Sequence, residues 1–248
     1  MRLRVASYNI HRAIGMDRRF RPQRVVEILG LLDADIVLLQ EVDEGVPRSR
    51  ELDLARELSE TLGYDHRAVG HNVTLRKGRY GNATLSRYPI QHESNIDLTI
   101  GWRKRRGCQH TRITVAGPTG RRHRLEVFNL HLGLSARERA HQVGLLACAP
   151  EFAELPAGAA CLVGGDFNDW RSRLQPVFTR LLSFRPADEG GTTHSRLMRT
   201  YPAFLPRGPL DRIYYRGPLR LLQAQRCRVP LARVASDHLP VVADFELR

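Results

Sequence analysis

The eight residues Leu162-Val163-Gly164-Gly165-Asp166-Phe167-Asn168-Asp169 run from an apolar stretch through two glycines into carboxylate and amide side chains. In an extended segment alternate side chains share a face, so Asp166 and Asn168 point the same way, and the glycines let another backbone come close. That describes a site at the end of a buried strand. A plain Gly-Gly-Asp turn followed by an Asn helix cap is the competing description. Three further stretches decide between them: Ser7-Tyr8-Asn9 ends one strand, Leu38-Leu39-Gln40-Glu41 ends another, and Ser236-Asp237-His238 stands just before the last. Apolar strands that each finish in Asn, Glu, Asp or His carry more than a hydrophobic core needs.

Residues 3–10 alternate as a strand, and 12–21 form a polar, basic loop. Pro22 opens a helix with Val25, Ile28, Leu29 and Leu32 on one face. The run 36–39 is continuous and branched, as in a strand covered on both sides, and a second helix over 52–62 is closed by Gly63. Between 64 and 115, short strands such as 81–86 and 111–115 alternate with turn residues, which implies an antiparallel meander. A strand over 125–130 ends in His131. Ser135-Ala136-Arg137-Glu138 is a capping box opening a helix that turns Ala140, Val143, Leu146 and Ala147 inward before Pro150. A strand over 161–163, a helix over 173–182 and strands over 219–229 and 239–247 complete the chain. Strands outnumber helices and helices come singly, so the expected class is α/β, with two sheets packed face to face and helices outside.

A length of 248 residues suffices for a sizeable core, and no segment reads as a linker, so one domain over 1–248 is expected. With neither a signal-peptide core nor an apolar run of membrane-spanning length, the expected protein is soluble and cytoplasmic. Cys108, Cys148, Cys161 and Cys227 have neither zinc-ligand spacing nor a disulfide pattern. The formal net charge of +13 implies a polyanionic partner, nucleic acid or an anionic membrane surface. Only Lys77 and Lys104 are lysines, a bias that codon composition explains as well as phosphate recognition does. No obligate protein partner is indicated.

The segments SYNIH (7–11), LLQEVD (38–43), YGNATLSRYPI (80–90), NLHLG (129–133), GGDFND (164–169), PLDRIYY (209–215) and SDHLPVVADF (236–245) together resemble the endonuclease/exonuclease/phosphatase superfamily, in order and over nearly the whole chain. The resemblance implies a four-layer α/β/β/α sandwich of two mainly antiparallel sheets, with the site at strand ends on one edge. It also implies hydrolysis of phosphoesters with a divalent metal, magnesium above all, with manganese as a substitute. Hard cations prefer oxygen ligands, and by resemblance Glu41 is the main ligand with Asn9 and Asp237 near it. Asp166 matches the carboxylate that positions or deprotonates the attacking water, and Asn168 its partner. His238 matches a phosphate-facing imidazole oriented by Asp211. His131 falls where deoxyribonuclease-like and sphingomyelinase-like members carry a histidine and apurinic-site endonucleases a tyrosine. Small relatives often place a carboxylate ahead of an Arg-Gly pair, where this chain has Lys104. Arg106 is then either a phosphate contact or part of a solvated charge run, Asn82 either a site residue or a turn asparagine. Tyr201, in Thr200-Tyr201-Pro202, resembles a substrate-side loop residue. Among the other histidines, His110, His141 and His194 read as surface or structural, and His11 follows the Asn9 strand directly.

Three functions follow. The leading one is a metal-dependent phosphodiesterase or nuclease acting on nucleic acid, which the charge favours. The second is a phosphodiesterase or phosphatase for a lipid headgroup or small molecule. The third, a silent nucleic-acid-binding module, gives no chemical reason to keep the whole polar set.

Overall fold

The computed structural model describes residues 1–117, 120–188 and 197–248, and the expectation for His194 lies outside the described residues. In chain order the strands are β1 (Arg2–Asn9), β2 (Ile36–Glu44), β3 (His66–Thr74), β4 (Arg79–Ser86), β5 (Ile90–Asp97), β6 (Gly107–Ala116), β7 (Arg122–His131), β8 (Ala160–Asp166), β9 (Arg185–Pro186), β10 (Asp211–Arg216), β11 (Leu219–Arg226) and β12 (Val241–Leu247). The helices are α1 (Pro22–Leu32), α2 (Leu54–Leu62), α3 (Ala136–Cys148), α4 (Pro150–Ala153) and α5 (Ala232–Ala235). The strands form two six-stranded sheets, ordered β11-β12-β1-β2-β4-β3 and β5-β6-β7-β8-β10-β9.

Strand alternation sorts the apolar residues into three layers. Leu3, Val5, Ile36, Leu38, Val127 and Leu162 meet between the sheets. Tyr8, Val37 and Leu39 face outward against Val25, Ile28 and Leu58 of α1 and α2. On the far side Phe128, Leu130 and Val163 pack against Val143 and Leu146 of α3 and Phe152 of α4. The result is the expected four-layer sandwich. Covered on both faces over residues 36–39, β2 has no polar face to show there, which is why that part of its sequence is a continuous apolar run.

Each sheet contains one parallel pair, β1 with β2 and β7 with β8, while the other pairings among the described residues are antiparallel. The parallel strands all end at the same edge of the sandwich and bring Asn9, Glu41, His131 and Asp166 there. Strand β10 runs the other way beside β8 and begins at that edge, with Asp211 opposite Asp166 in register. Strand β12, antiparallel to β1, starts just after His238. Ligand sites in open α/β sheets gather at such carboxyl ends.

Four expectations are corrected. The helix over 173–182 is a single π turn, Val177–Leu181, bounded by left-handed Ser172 (φ 54°) and Ser183 (φ 58°), conformations an α-helix cannot include. Glu41 does not end β2: the strand bulges between Leu39 and Val42 and continues to Glu44. Strand β8 likewise runs through both glycines to Asp166. The 64–115 meander is divided, β3 and β4 joining the first sheet and β5 and β6 the second.

Candidate active site

The two glycines ahead of Asp166 are required by close approach. A Cβ on Gly165, whose φ is 140°, would lie 1.9 Å from the Leu130 carbonyl oxygen, and one on Gly164 would lie 2.6 Å from Leu38 Cδ1 across the sandwich. With β7 and β8 so close, Asp166 and His131 face each other in register. The Asp166 carboxylate accepts from Asn9 Nδ2 at 3.1 Å and from the Asn168 backbone N–H at 2.9 Å. Asn168 takes a left-handed conformation (φ 50°) and donates its side-chain amide to the Leu132 carbonyl at 2.9 Å.

Two imidazoles flank Asp166 Oδ2 at nearly equal distance, His131 Nε2 at 3.5 Å and His238 Nε2 at 3.6 Å. The other nitrogen of His238, Nδ1, meets Asp211 Oδ2 at 2.8 Å, and that oxygen also accepts from Thr200 Oγ1 at 2.5 Å. Burial works against charge on His238, but Asp211 and Asp166 outweigh it and push the ring up to about 10. His131 goes the other way: burial, then Arg106, His238 and Lys104, hold it well below the ordinary histidine range. Burial raises Asp166 to about 6, against the pull of His238 and with the help of Asp211. At neutral pH the site therefore sets a cationic His238 and a neutral His131 on either side of a carboxylate in the range a general base needs.

These groups floor a cleft of about 750 Å³ that is also lined by Asn9, Glu41, Asp237, Arg106 and Tyr201. Glu41 adopts a left-handed conformation (φ 57°) at the bulge, and its Oε2 is buried without a hydrogen bond, 3.3 Å from Arg12 Nε. Asp237 is half-buried, 3.9 Å from His11 Nδ1. Asn9 Oδ1 accepts from the His11 backbone N–H at 3.0 Å and keeps a second lone pair. An orphaned carboxylate oxygen, a second carboxylate and an amide oxygen on one cleft wall fit a hard divalent cation. Asp166, Asp211 and His238 also bring ligand atoms within 4.8 Å of one another, but Asp211 Oδ2 and His238 Nδ1 already engage each other.

Of the substrate-side residues, Arg106 is buried along the cleft and its Nε has no partner. The Tyr201 ring lies 4.9 Å from the His238 ring. Asn82 is not among the cleft-lining residues: its amide nitrogen donates to the Gly107 and Asn129 carbonyls at 3.3 and 3.0 Å, within the buried contacts that tie the two sheets together. Lys104 lines the cleft with its ammonium 5.4 Å from the Tyr80 ring centroid. His110 is buried and bonded to Glu126.

Sequence reasoning missed Arg12, which reads only as part of a basic loop, and gave little weight to Thr200, which clamps Asp211. It also missed Trp170, whose half-exposed indole lines the cleft directly after the GGDFND segment. An exposed tryptophan directly after the GGDFND segment is the signal that would have found it.

A two-sheet sandwich with carboxylates, amides and histidines gathered at one edge defines a class of phosphoester hydrolases. The model of the endonuclease/exonuclease/phosphatase family matches residues 6–238, and the chain belongs to that family. It is 34% identical to the uncharacterized protein YbhP of Escherichia coli strain K12 over 98% of this chain and 96% of that protein. Among solved structures, an endonuclease/exonuclease/phosphatase from Beutenbergia cavernae superposes with a TM-score of 0.80 at 22% identity, covering 99% of this chain and 72% of that one. The mannosyl-6-phosphatase Bt3783 of Bacteroides thetaiotaomicron superposes with a TM-score of 0.75 at 18% identity, covering 98% and 99%. No helix among the described residues is long and apolar enough to cross a membrane.

Proposed function

We propose that this chain is a magnesium-dependent phosphodiesterase whose substrate is nucleic acid. The observation that carries the reading is the placement of Asp166 Oδ2 between the His131 and His238 imidazoles, at 3.5 and 3.6 Å, on the floor of a cleft that also holds a buried Arg106. Asp166 orients and deprotonates the attacking water, positioned by Asn9 and Asn168. His238, held by Asp211 and Thr200, stabilises charge developing on the phosphoryl oxygens, and Arg106 holds the phosphate. His131 donates to the leaving oxygen or to the phosphate. Glu41, Asn9 and Asp237 would hold the cation, which neutralises phosphate charge and lowers the pKa of bound water. The net charge of +13 supports a polyanionic substrate over a neutral one.

A second reading is favoured by the likeness to a mannosyl-6-phosphatase: hydrolysis of a small phosphomonoester, in a cleft roomy enough for a phosphorylated sugar. The test is turnover of a nitrophenyl phosphodiester, an oligonucleotide and a sugar phosphate, with magnesium, with manganese and with chelator. Hydrolysis of the diester and oligonucleotide is expected to vanish with chelator and return with either ion. Glu41→Gln should lose roughly 10²-fold or more in turnover while its circular dichroism is unchanged. Turnover that survives chelation overturns the metal assignment, and preference for the sugar phosphate moves the substrate to the second reading.

A further inference from the structure

Beside the catalytic cleft lies a second groove of about 910 Å³ whose lining includes Arg171, Arg199, Arg207, Arg226 and Arg228. No carboxylate is among its described lining residues. Among the described residues Arg171, Arg199, Arg207 and Arg226 make no ion pair with a carboxylate, and Arg226 is aimed by donating to the Arg199 carbonyl at 2.8 Å. The floor is built as well: buried Arg212 donates to Ser172 Oγ at 2.6 Å and to the Pro209 carbonyl at 3.1 Å, fixing two lining residues from beneath. Four guanidinium groups that share a concavity with no carboxylate partner among the described residues repel one another across it, a repulsion that an anion in the groove would relieve.

The two hollows are joined by one side chain. Trp170 lines both; its indole lies against Gly208, where any Cβ would come within 2.9 Å of the ring. It meets Tyr201 edge to face at 5.6 Å, and Tyr201 in turn packs 4.9 Å from His238. A path therefore leads from the catalytic imidazole across two aromatic rings into the arginine groove.

We infer that this groove binds the single strand that continues past the scissile phosphate, its phosphates on Arg171, Arg199, Arg207 and Arg226 and a base stacked on Trp170. The inference rests on the nucleic-acid reading above and adds where the rest of the strand lies. Guanidinium groups suit bidentate phosphate contacts, and an exposed indole face accepts any base. Concavity favours a strand over a membrane, since a flexible chain enters a groove that a flat headgroup layer spans.

The test separates binding from turnover. In chelator, where no hydrolysis occurs, a fluorescein-labelled 12-mer of thymidylate is titrated by anisotropy against wild type, the triple variant Arg171→Gln/Arg199→Gln/Arg207→Gln and the matching triple lysine variant. The glutamine variant should bind roughly 10- to 100-fold more weakly, and its salt dependence should fall by about 2 in log–log slope, near 0.7 for each lost phosphate contact. The lysine variant should keep most of the slope. With magnesium, kcat/KM for a nitrophenyl diester, too short to reach the groove, should stay within about twofold in the glutamine variant, while KM for the 12-mer rises. Equal 12-mer affinity and salt slope in wild type and the glutamine variant overturns the inference. So does wild-type sedimentation with phosphatidylglycerol vesicles that the variant loses while 12-mer binding is untouched. If the 12-mer binds through the groove but is never cleaved, the groove stands and the proposed substrate reaction fails.

Discussion

Among the described residues two buried histidine–carboxylate pairs are joined by a short hydrogen bond, and nearly the same contact gives them opposite characters. His110 Nε2 meets Glu126 Oε2 at 2.6 Å; His238 Nδ1 meets Asp211 Oδ2 at 2.8 Å. Around Glu126 the cations are in excess, since Arg112 and Arg124 join His110 on the one carboxylate. Burial would raise Glu126, but these three donors together bring it down to about 2. Around His238 the carboxylates are in excess, so the ring stays charged and a second carboxylate, Asp166, is left beside it. Strand parity explains the division. Glu126 shares the outward face of β7 with Phe128, on which His110 stacks at 4.5 Å, and is closed beneath the helical layer. His131 has the opposite parity on the same strand and stands at its end, open to the cleft. A short histidine–carboxylate contact thus says little about function until its strand position and the count of neighbouring charges are known.

The largest expected effect tests that division directly. His238→Ala should lower turnover of a nitrophenyl diester by roughly two to three powers of ten, the cost of a lost electrostatic donor. Asp211→Asn should cost less. The double variant should be little worse than His238→Ala, because residues acting as one unit are not additive. Losses that simply multiply under saturating magnesium would mean that Asp211 and His238 work separately.

Next in size is a stability effect at the other pair. Glu126→Gln removes the anion from buried His110, half-buried Arg112 and exposed Arg124, and should destabilise the fold by about 2 kcal/mol, with turnover within about twofold of wild type. Glu126 titrates near 2 in the folded chain against an ordinary 4.5, so its stabilisation is complete above 4.5 and is lost as pH falls through 2. Urea midpoints at pH 5 and pH 3 should therefore drop further for wild type than for the variant. Asp244, held near 2 by Arg4, Arg2 and Gln223 against its burial, loses stabilisation in both proteins and cancels in the difference. A turnover loss in Glu126→Gln that matched its stability loss would erase the contrast between the pairs.

The layers and the strand-end edge were legible because each rests on a local pattern: alternation, an apolar run cut by polar residues, two glycines before an acid. The convergence of His131, Asp211 and His238 on Asp166 was implied only by the family resemblance. What escaped depended on distant partners. The bulge that turns Glu41 into the cleft comes from pairing with β4, and nothing between Leu39 and Val42 announces it. The sheet-tying bonds of Gln40, Asn82 and Asn129 look like ordinary polar residues until the sandwich stacks them: Gln40 Nε2 reaches Asn129 Oδ1 at 2.8 Å across 89 positions. The helix expected over 173–182 failed because periodicity there is short and left-handed serines bound it. The arginine groove draws on positions 171, 199, 207, 226 and 228, scattered through a chain already rich in arginine, so composition showed the charge and hid the site.

The smallest expected effect concerns Lys104, where the family resemblance leads one to expect an acid. Burial is the main reason His131 stays uncharged, followed by Arg106 and His238, with Lys104 adding a further push in the same direction. An acid in that place would pull the other way, favouring the charged form of His131. Lys104→Glu should therefore raise the pH at which His131 charges and leave His110, on the outward face of the sheet, unmoved. The measurement is an NMR titration of the histidine Cε1 protons in metal-free protein, comparing the two resonances between wild type and variant. The accompanying change in diester turnover should be only a few-fold, since the lysine is exposed and its field is screened by solvent and salt. If His131 charges at the same pH in both proteins, burial and Arg106 account for its neutrality without Lys104. If both resonances move together, the substitution has disturbed the sheet as a whole, and the two pairs are less independent than their strand parity makes them.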